Sequence, residues 1–118
     1  MQLKGRILYI SYDGMTDNLG LSQVLPYLSE LSAMGYSITI LSFEKVDNFQ
    51  KHGTQLTKKI RKQRINWVPL MYKKYPPVLS TVWDVYKMKK TAKKLILEHD
   101  FDLVHCRSYV AAIAGMYL

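Results

Sequence analysis

Short apolar runs alternate with longer amphipathic segments along the whole chain. Four runs of five to seven residues are rich in β-branched and aromatic side chains and are followed by polar or turn-forming residues. Such runs are typical of strands that are covered on both faces. They predict four strands, over residues 6–12, 37–43, 65–70 and 102–106.

The segments between these runs carry apolar residues at helical spacing. They predict helices over residues 24–34, 48–64, 78–99 and 109–118. Pro26 fits the first turn of the first helix, and Gly35 is predicted to end it. Gly53 is a candidate break in the second helix, and Ser108 is the predicted N-cap of the last. The longest helix has one apolar stripe, formed by Val78, Val82, Val85, Met88, Ala92, Leu95 and Ile96.

Strands that alternate with helices predict right-handed crossovers and a parallel sheet. We therefore expect one α/β domain over residues 1–118, a Rossmann-like three-layer fold with strand order 3-2-1-4. In such a sheet, ligands bind beyond the carboxyl ends of the strands, where the strand order reverses. This point lies between strands one and four. It is reached by the loop of residues 13–20 and by residues 105–108.

The charge is unevenly distributed. The chain has 118 residues, 48% of them hydrophobic, and a net charge of +8. Residues 45–94 contain 14 Lys and Arg against two acids, so they carry +12, and the rest carries 3 − 7 = −4. This predicts one strongly positive part of the surface, either merely solvated or attractive to anionic membranes, nucleic acid or acidic substrates.

Two observations rank these partners, and the cysteine content and the apolar runs indicate the compartment. The long helix mixes lysines with Trp83 and tyrosines, as membrane-interfacial surfaces do. Nucleic acid ranks last, because no nucleic-acid motif accompanies the basic cluster of residues 58–64. A single cysteine, Cys106, excludes an internal disulfide and favours a cytoplasmic protein. The apolar run at residues 7–10 is too short for a signal-peptide core, and no run is long enough for a spanning helix.

The loop after the first strand holds the first candidate site residues. Gly14 and Gly20 could let a phosphate or another substrate group approach the backbone closely, or they could be ordinary turn glycines. Asp13 could accept a hydrogen bond from a substrate hydroxyl, or it could be a turn residue. The dinucleotide and P-loop glycine patterns are both missing. Glu44 nevertheless stands where nicotinamide-binding folds place a ribose-binding acid, which keeps that fold type as an alternative.

The end of the fourth strand holds the other candidates. His105 should face the switch point, although a histidine satisfied within the core is the alternative. Arg107 could bind an acidic group or be solvated. Ser108 fits an N-cap that could also open an anion site. Cys106 is predicted to be a small buried residue and not a nucleophile, because adjacent residues of a strand point to opposite faces.

Two stretches resemble a known enzyme family. The run ILYISYDGMTDNLGLSQVLPYLSELSAMGYSITILSFEK, residues 7–45, resembles the amino-terminal domain of a glycosyltransferase of the GT-B fold, family 4 (group 1). The run FDLVHCRSYVAAIAG, residues 101–115, is similar to that family's D-L/I-V/I-H-x-R/H-S segment. Together the two stretches cover about half of the chain, and their order and spacing agree with the family.

The resemblance implies a retaining transfer of a sugar from a nucleotide-sugar to an acceptor, in cell-surface polysaccharide or glycolipid synthesis. It implies that this domain binds mainly the acceptor, that a carboxyl-terminal domain binds the donor, and that no metal or other cofactor is obligatory. It makes His105 the catalytic candidate and Asp13, Gly14, Gly20, Arg107 and Ser108 the substrate-binding candidates. Lipid-linked acceptors in the family also favour a peripheral position on the inner face of a membrane.

The sequence departs from the family pattern at its end. It stops at Leu118, inside the last predicted helix, and lacks the family's E-x7-E segment. We therefore expect a truncated chain that is inactive in transfer by itself. We also expect strand four to have an unpaired edge, through which the chain could associate with a second copy. A non-catalytic basic binding module is the alternative from another functional class.

Overall fold

The computed structural model describes residues 4–12, 14–16, 23–63, 65–71 and 77–107. Within these ranges the strands are β1 (Gly5–Ser11), β2 (Tyr36–Glu44), β3 (Ile65–Met71) and β4 (Leu103–Arg107). The helices are α1 (Leu25–Ala33), α2 (Val46–Lys62) and α3 (Pro77–Glu98). Every strand, and every helix up to α3, lies within about two residues of its predicted bounds. The predicted helix over residues 109–118 lies outside the described residues.

The four strands form one parallel sheet in the order β3-β2-β1-β4, which confirms the predicted α/β fold. The first two crossovers step from β1 outward to β3, and the third returns past β1 to β4. At the amino-terminal end, the Asp102 N–H donates a hydrogen bond of 2.8 Å to the Arg6 carbonyl oxygen. The Arg6 N–H also donates to the Asp102 carboxylate at 2.8 Å, which helps to fix the pairing of β1 with β4.

The helices cover both faces of the sheet, so the fold has three layers. Leu28 of α1 and Leu56 and Ile60 of α2 pack on one face. Met88 and Ala92 of α3 pack on the other face. The strand residues divide between the two cores by alternation, as a pleated sheet requires. The first core receives Ile7, Tyr9, Ile38, Ile40 and Ile65, and the second receives Leu8, Ile10, Leu41 and Phe43.

Two glycines show how the helices are shaped. Gly35 follows α1 with a φ of 106°, a conformation in which a Cβ is strained, and this confirms it as the residue that ends the helix. The candidate break at Gly53 is wrong, because α2 runs through it. Gly53 is buried under Phe49, and an added Cβ would lie 3.1 Å from the Phe49 Cδ2 atom. Packing, and not helix breaking, explains this glycine.

The apolar stripe of α3 is narrower than its pattern predicts. Met88 and Ala92 are fully buried, as expected. Val82, by contrast, is 62% exposed, so the stripe is not covered along its whole length. The bounds of α3 also correct a second expectation, since Pro77 begins the helix instead of preceding it.

The predicted single positive surface is divided in two. The basic residues of α2 and those of α3 stand on helices that pack against opposite faces of the sheet. Of the two acids among residues 45–94, Asp84 is 1% exposed, and Asp47 is exposed in the first turn of α2. The chain therefore presents two separate basic helices on its two sides.

The β4 strand is the least covered of the four. It pairs with β1, and within the described residues no other strand pairs with its second edge. Leu103 is 54% exposed and Val104 36% exposed, so apolar side chains stand at this edge. Self-association through β4 stays a prediction. None of the helices in the described ranges combines the length and apolar character needed to cross a membrane.

Candidate functional site

The carboxyl ends of β1 and β4 lie side by side at the point where the strand order reverses. Tyr9 pairs with His105, and Ser11 pairs with Arg107. This register places the end of β4 level with the end of β1. The two strands that the sequence analysis assigned to the candidate site are therefore neighbours, and Arg107 stands at the edge where ligands of such sheets bind.

His105 is exposed and its ring stacks on Tyr9. The ring centroids are 4.9 Å apart with an interplanar angle of 28°. Tyr9 itself is only 3% exposed and belongs to the core beneath α1 and α2. The exposure argues against a histidine satisfied within the core. The other face of the imidazole remains accessible to a ligand. Because the stacking on Tyr9 already restricts the His105 side chain, binding a ligand would cost it less conformational entropy.

Cys106 lies on the opposite face from His105. It is half-buried and packs against the core beneath α3, beside residues such as Leu8. This burial raises the pKa of the Cys106 thiol through desolvation, so the thiolate is disfavoured at neutral pH. The histidine cannot serve as its base from the other face of the sheet. The structure supports the interpretation that Cys106 is a packing residue and not a nucleophile.

The loop after β1 is fastened to the end of β2 by a buried carboxylate. The Glu44 side chain accepts hydrogen bonds from the Met15 N–H at 3.0 Å and the Thr16 N–H at 2.9 Å. It also accepts one from the Thr16 hydroxyl at 2.8 Å and one from the Ser42 hydroxyl. Glu44 has no exposed surface. All four hydrogen bonds are charge-assisted, and together they hold the loop against the sheet.

Gly14 is required by this attachment. A Cβ at Gly14 would lie 2.8 Å from the Glu44 Oε1 atom and 3.0 Å from the Phe43 carbonyl oxygen. Both distances are shorter than ordinary van der Waals contacts. The missing side chain thus lets the loop approach β2. The sequence suggested only contact with a phosphate or simple turn formation for this glycine.

The attachment changes the role that the sequence suggested for Glu44. A ribose hydroxyl would have to displace one of the donors that already surround the carboxylate. The alternative of a nicotinamide-binding domain depended on this residue, and its buried environment does not favour that role. Sequence reasoning could not find the attachment, since Thr16 and Glu44 are 28 positions apart.

A second buried acid stands on α3. The Tyr12 hydroxyl donates to the Asp84 Oδ2 atom at 2.8 Å, and the Tyr12 ring lies 5.3 Å from the ring of Phe43. Asp84 is 1% exposed, so this pair links α3 to the chain segment that leaves β1. The sequence indicates this burial, because Asp84 precedes Met88 and Ala92 at intervals of four residues and so lies on the same face of the helix.

The candidate residues thus fall on either side of β1. Gly14 is held at the end of β2, while His105 and Arg107 lie on β4. Both β2 and β4 pair with β1, so the two groups flank the end of β1. Asp13, Gly20 and Ser108 lie outside the described residues.

Within the described ranges, no three His, Cys, Asp or Glu side chains are grouped so that they could hold a metal ion. The sequence matches no protein-family model, and neither the curated proteins nor the solved structures contain a match to it.

Proposed function

We propose that the chain forms the acceptor-binding half of a retaining glycosyltransferase, with its substrate site beyond the carboxyl ends of β1 and β4. The observation that carries this proposal is the pairing of β1 with β4 at the reversal of strand order. The resemblance of residues 7–45 and 101–115 to the family 4 enzymes supplies the reaction, and the topology is consistent with it.

The side chains at this edge suit a sugar substrate. The exposed imidazole of His105 can donate to, or accept from, a sugar hydroxyl. The Arg107 guanidinium can pair with a phosphate or carboxylate of the substrate. Glu44 holds the loop of Gly14 in place, and this gives the site one rigid wall before a ligand arrives. In this proposal His105 contacts the reacting sugar, while Glu44 is a positioning residue.

Ligand binding, and not transfer activity, tests this proposal. The resemblance assigns the donor nucleotide to a different domain, so this chain is expected to be inactive in transfer by itself. The ¹⁵N-labelled chain would be titrated with UDP-glucose, GDP-mannose, simple acceptor sugars and NAD, and the amide shifts followed. We expect saturable shifts at residues 14–16 and 105–107 for a sugar ligand. The dissociation constant should be about millimolar, as fits half of a two-domain site.

Arg107 has a matched control in Arg6, which stands on the neighbouring strand at the opposite end of the sheet. Arg107→Gln should weaken binding at least about fivefold. Arg6→Gln removes the same charge from the amino-terminal end and should leave binding unchanged. Equal effects of the two variants would show general attraction to the basic chain and contradict the proposed site. Tighter binding of NAD than of every sugar ligand would favour the nicotinamide alternative.

A further inference from the structure

The exposed face of α3 combines large apolar side chains with lysines. Val82 is 62%, Trp83 50%, Tyr86 56% and Leu97 88% exposed. The Trp83 and Tyr86 rings are 5.8 Å apart, so the two aromatic side chains form one patch. Soluble proteins rarely expose several large apolar residues together unless that surface binds something.

Lysines occupy the same face. At about 100° per residue, positions 82, 83, 86, 89, 90, 93, 94 and 97 fall within an arc of about 140°. The last two turns of this arc contain Lys89, Lys90, Lys93 and Lys94. We call these eight residues the α3 stripe. It is about 22 Å long, and the single acid between its ends, Asp84, is buried on the opposite side of the helix.

A shallow cavity lies within the α3 stripe. It has a volume of about 330 Å³ and is lined by Tyr86, Lys89, Lys90 and Lys93. This volume is within the range of small-molecule sites, and three of its four lining residues are lysines, whose positive charge attracts an anionic group. The cavity therefore adds a place for an anionic headgroup to a surface that already presents aromatic rings.

We propose that the α3 stripe docks the chain on a membrane that contains anionic lipids. Tryptophan and tyrosine prefer the interfacial layer of a bilayer, while lysines extend their ammonium groups to lipid phosphates. A protein partner fits this surface less well, because lysine is depleted in the cores of protein interfaces. The lysines could also bind the phosphates of a nucleic acid. Such binding would not explain why Val82 and Leu97, the two aliphatic residues of the stripe, are exposed.

The opposite side of the molecule supplies a matched control. Lys58, Lys59 and Lys62 are exposed on α2, and the described part of that helix presents one large exposed apolar residue, Val46, at its other end. A triple change to glutamine on α2 therefore alters the net charge as much as Lys90/Lys93/Lys94→Gln on α3. Only the second change falls within the α3 stripe.

Vesicle cosedimentation tests the proposal. The vesicles would contain phosphatidylcholine alone or with about 30% phosphatidylglycerol, at ionic strengths of about 0.1 M and 0.5 M. We expect binding to the anionic vesicles that weakens at high salt. The α3 triple variant should lower the partition coefficient at least about tenfold, and the α2 triple variant should stay within about twofold of the wild type. Val82→Gln/Tyr86→Gln, which leaves the charge unchanged, should lower it severalfold.

A tryptophan signal reports where the chain touches the bilayer. The chain has two tryptophans, and Trp67 packs against Phe49 with its indole N–H bonded to Ser42. A Trp67→Phe chain keeps Trp83 as its single tryptophan, so vesicles should shift its emission to the blue and brominated lipids should quench it. Circular dichroism melting would first confirm that each variant is folded.

Any of four results would overturn the proposal. The chain could fail to bind anionic vesicles, or it could bind neutral vesicles equally well. The α2 and α3 triple variants could lower the partition coefficient equally, or the Trp83 emission could stay unchanged when vesicles are bound. An RNA oligonucleotide that binds through the α3 lysines while the vesicles do not would assign the stripe to nucleic acid. Because His105 and Arg107 are not in the stripe, failure here leaves the proposed sugar site untouched.

Discussion

Replacing Glu44 by alanine should destabilise the chain by about 4 kcal/mol. The change removes the common acceptor of two backbone N–H groups and two hydroxyls. The hydroxyls can rotate toward other acceptors, but the N–H groups of Met15 and Thr16 cannot. Each buried donor left unsatisfied costs about 1–3 kcal/mol, which gives a range of about 2–6 kcal/mol and the central value above. A loss of this size is a large share of the stability of a small domain.

Urea unfolding, followed by circular dichroism and extrapolated linearly to water, measures this change. Glu30→Ala is the matched control, because Glu30 is an exposed acid on α1 and its loss changes the net charge equally. We expect the control to shift the free energy of unfolding by no more than about 0.5 kcal/mol. Glu44→Gln should fall between the two, since the amide keeps one accepting oxygen but turns an NH₂ group toward the donors.

Hydrogen exchange supplies the local part of the same test. The amides of Met15 and Thr16 should exchange much faster in Glu44→Ala than in the wild type, measured relative to the amides of β2. If Glu44→Ala and Glu30→Ala were equally stable and these two amides exchanged at wild-type rates, the loop would not be held by this carboxylate. The candidate site would then lack the rigid wall assigned to this loop.

Three further predictions follow from single contacts. Gly35→Ala should lower the free energy of unfolding by about 1–2 kcal/mol because φ at this position is 106°, and Gly35→Asn should lower it less. Equal urea midpoints for both variants and the wild type would contradict this. Tyr12→Phe removes the hydrogen bond to Asp84 and should lower the free energy of unfolding by about 1.5 kcal/mol. Tyr27→Phe is the control, because Tyr27 is 51% exposed, and it should leave the free energy of unfolding unchanged in the same urea assay. Since burial raises the pKa of Cys106, less thiolate is present at a given pH, and iodoacetamide should alkylate it more slowly at pH about 8 in the folded chain than in the urea-unfolded chain. The difference should shrink as the pH rises, and faster alkylation of the folded chain would contradict it.

The positions of His105 and Arg107 on the sheet could be predicted from local patterns. The βαβ rule places the ends of β1 and β4 together once the strands are recognised, so the positions of His105 and Arg107 followed from the sequence. The attachment of the loop by Glu44 could not be foreseen. A glutamate at a strand end has the same local pattern whether it faces solvent or accepts hydrogen bonds from a distant loop.

The two buried acids show the same limit. Asp84 was counted with the charges of residues 45–94 and Glu44 was considered as a ribose-binding acid, yet both lie inside the structure. Burial of a carboxylate depends on donors brought from elsewhere in the chain, which are Met15 and Thr16 for Glu44 and the Tyr12 hydroxyl for Asp84. The interval of four residues from Asp84 to Met88 was the one signal that pointed to a buried position.

Local patterns were enough to predict the elements, their order and the parallel sheet, because strand and helix periodicities are local and the handedness of crossovers leaves few arrangements. The positions of the charges and of the remaining apolar residues follow only from the packing of the elements. This packing placed α2 and α3 on opposite faces, which divided one basic segment into two surfaces, and it left Val82 and Leu97 exposed beside the lysines of α3. The physical reason is that exposure depends on which elements pack against a residue, and those elements come from distant parts of the chain.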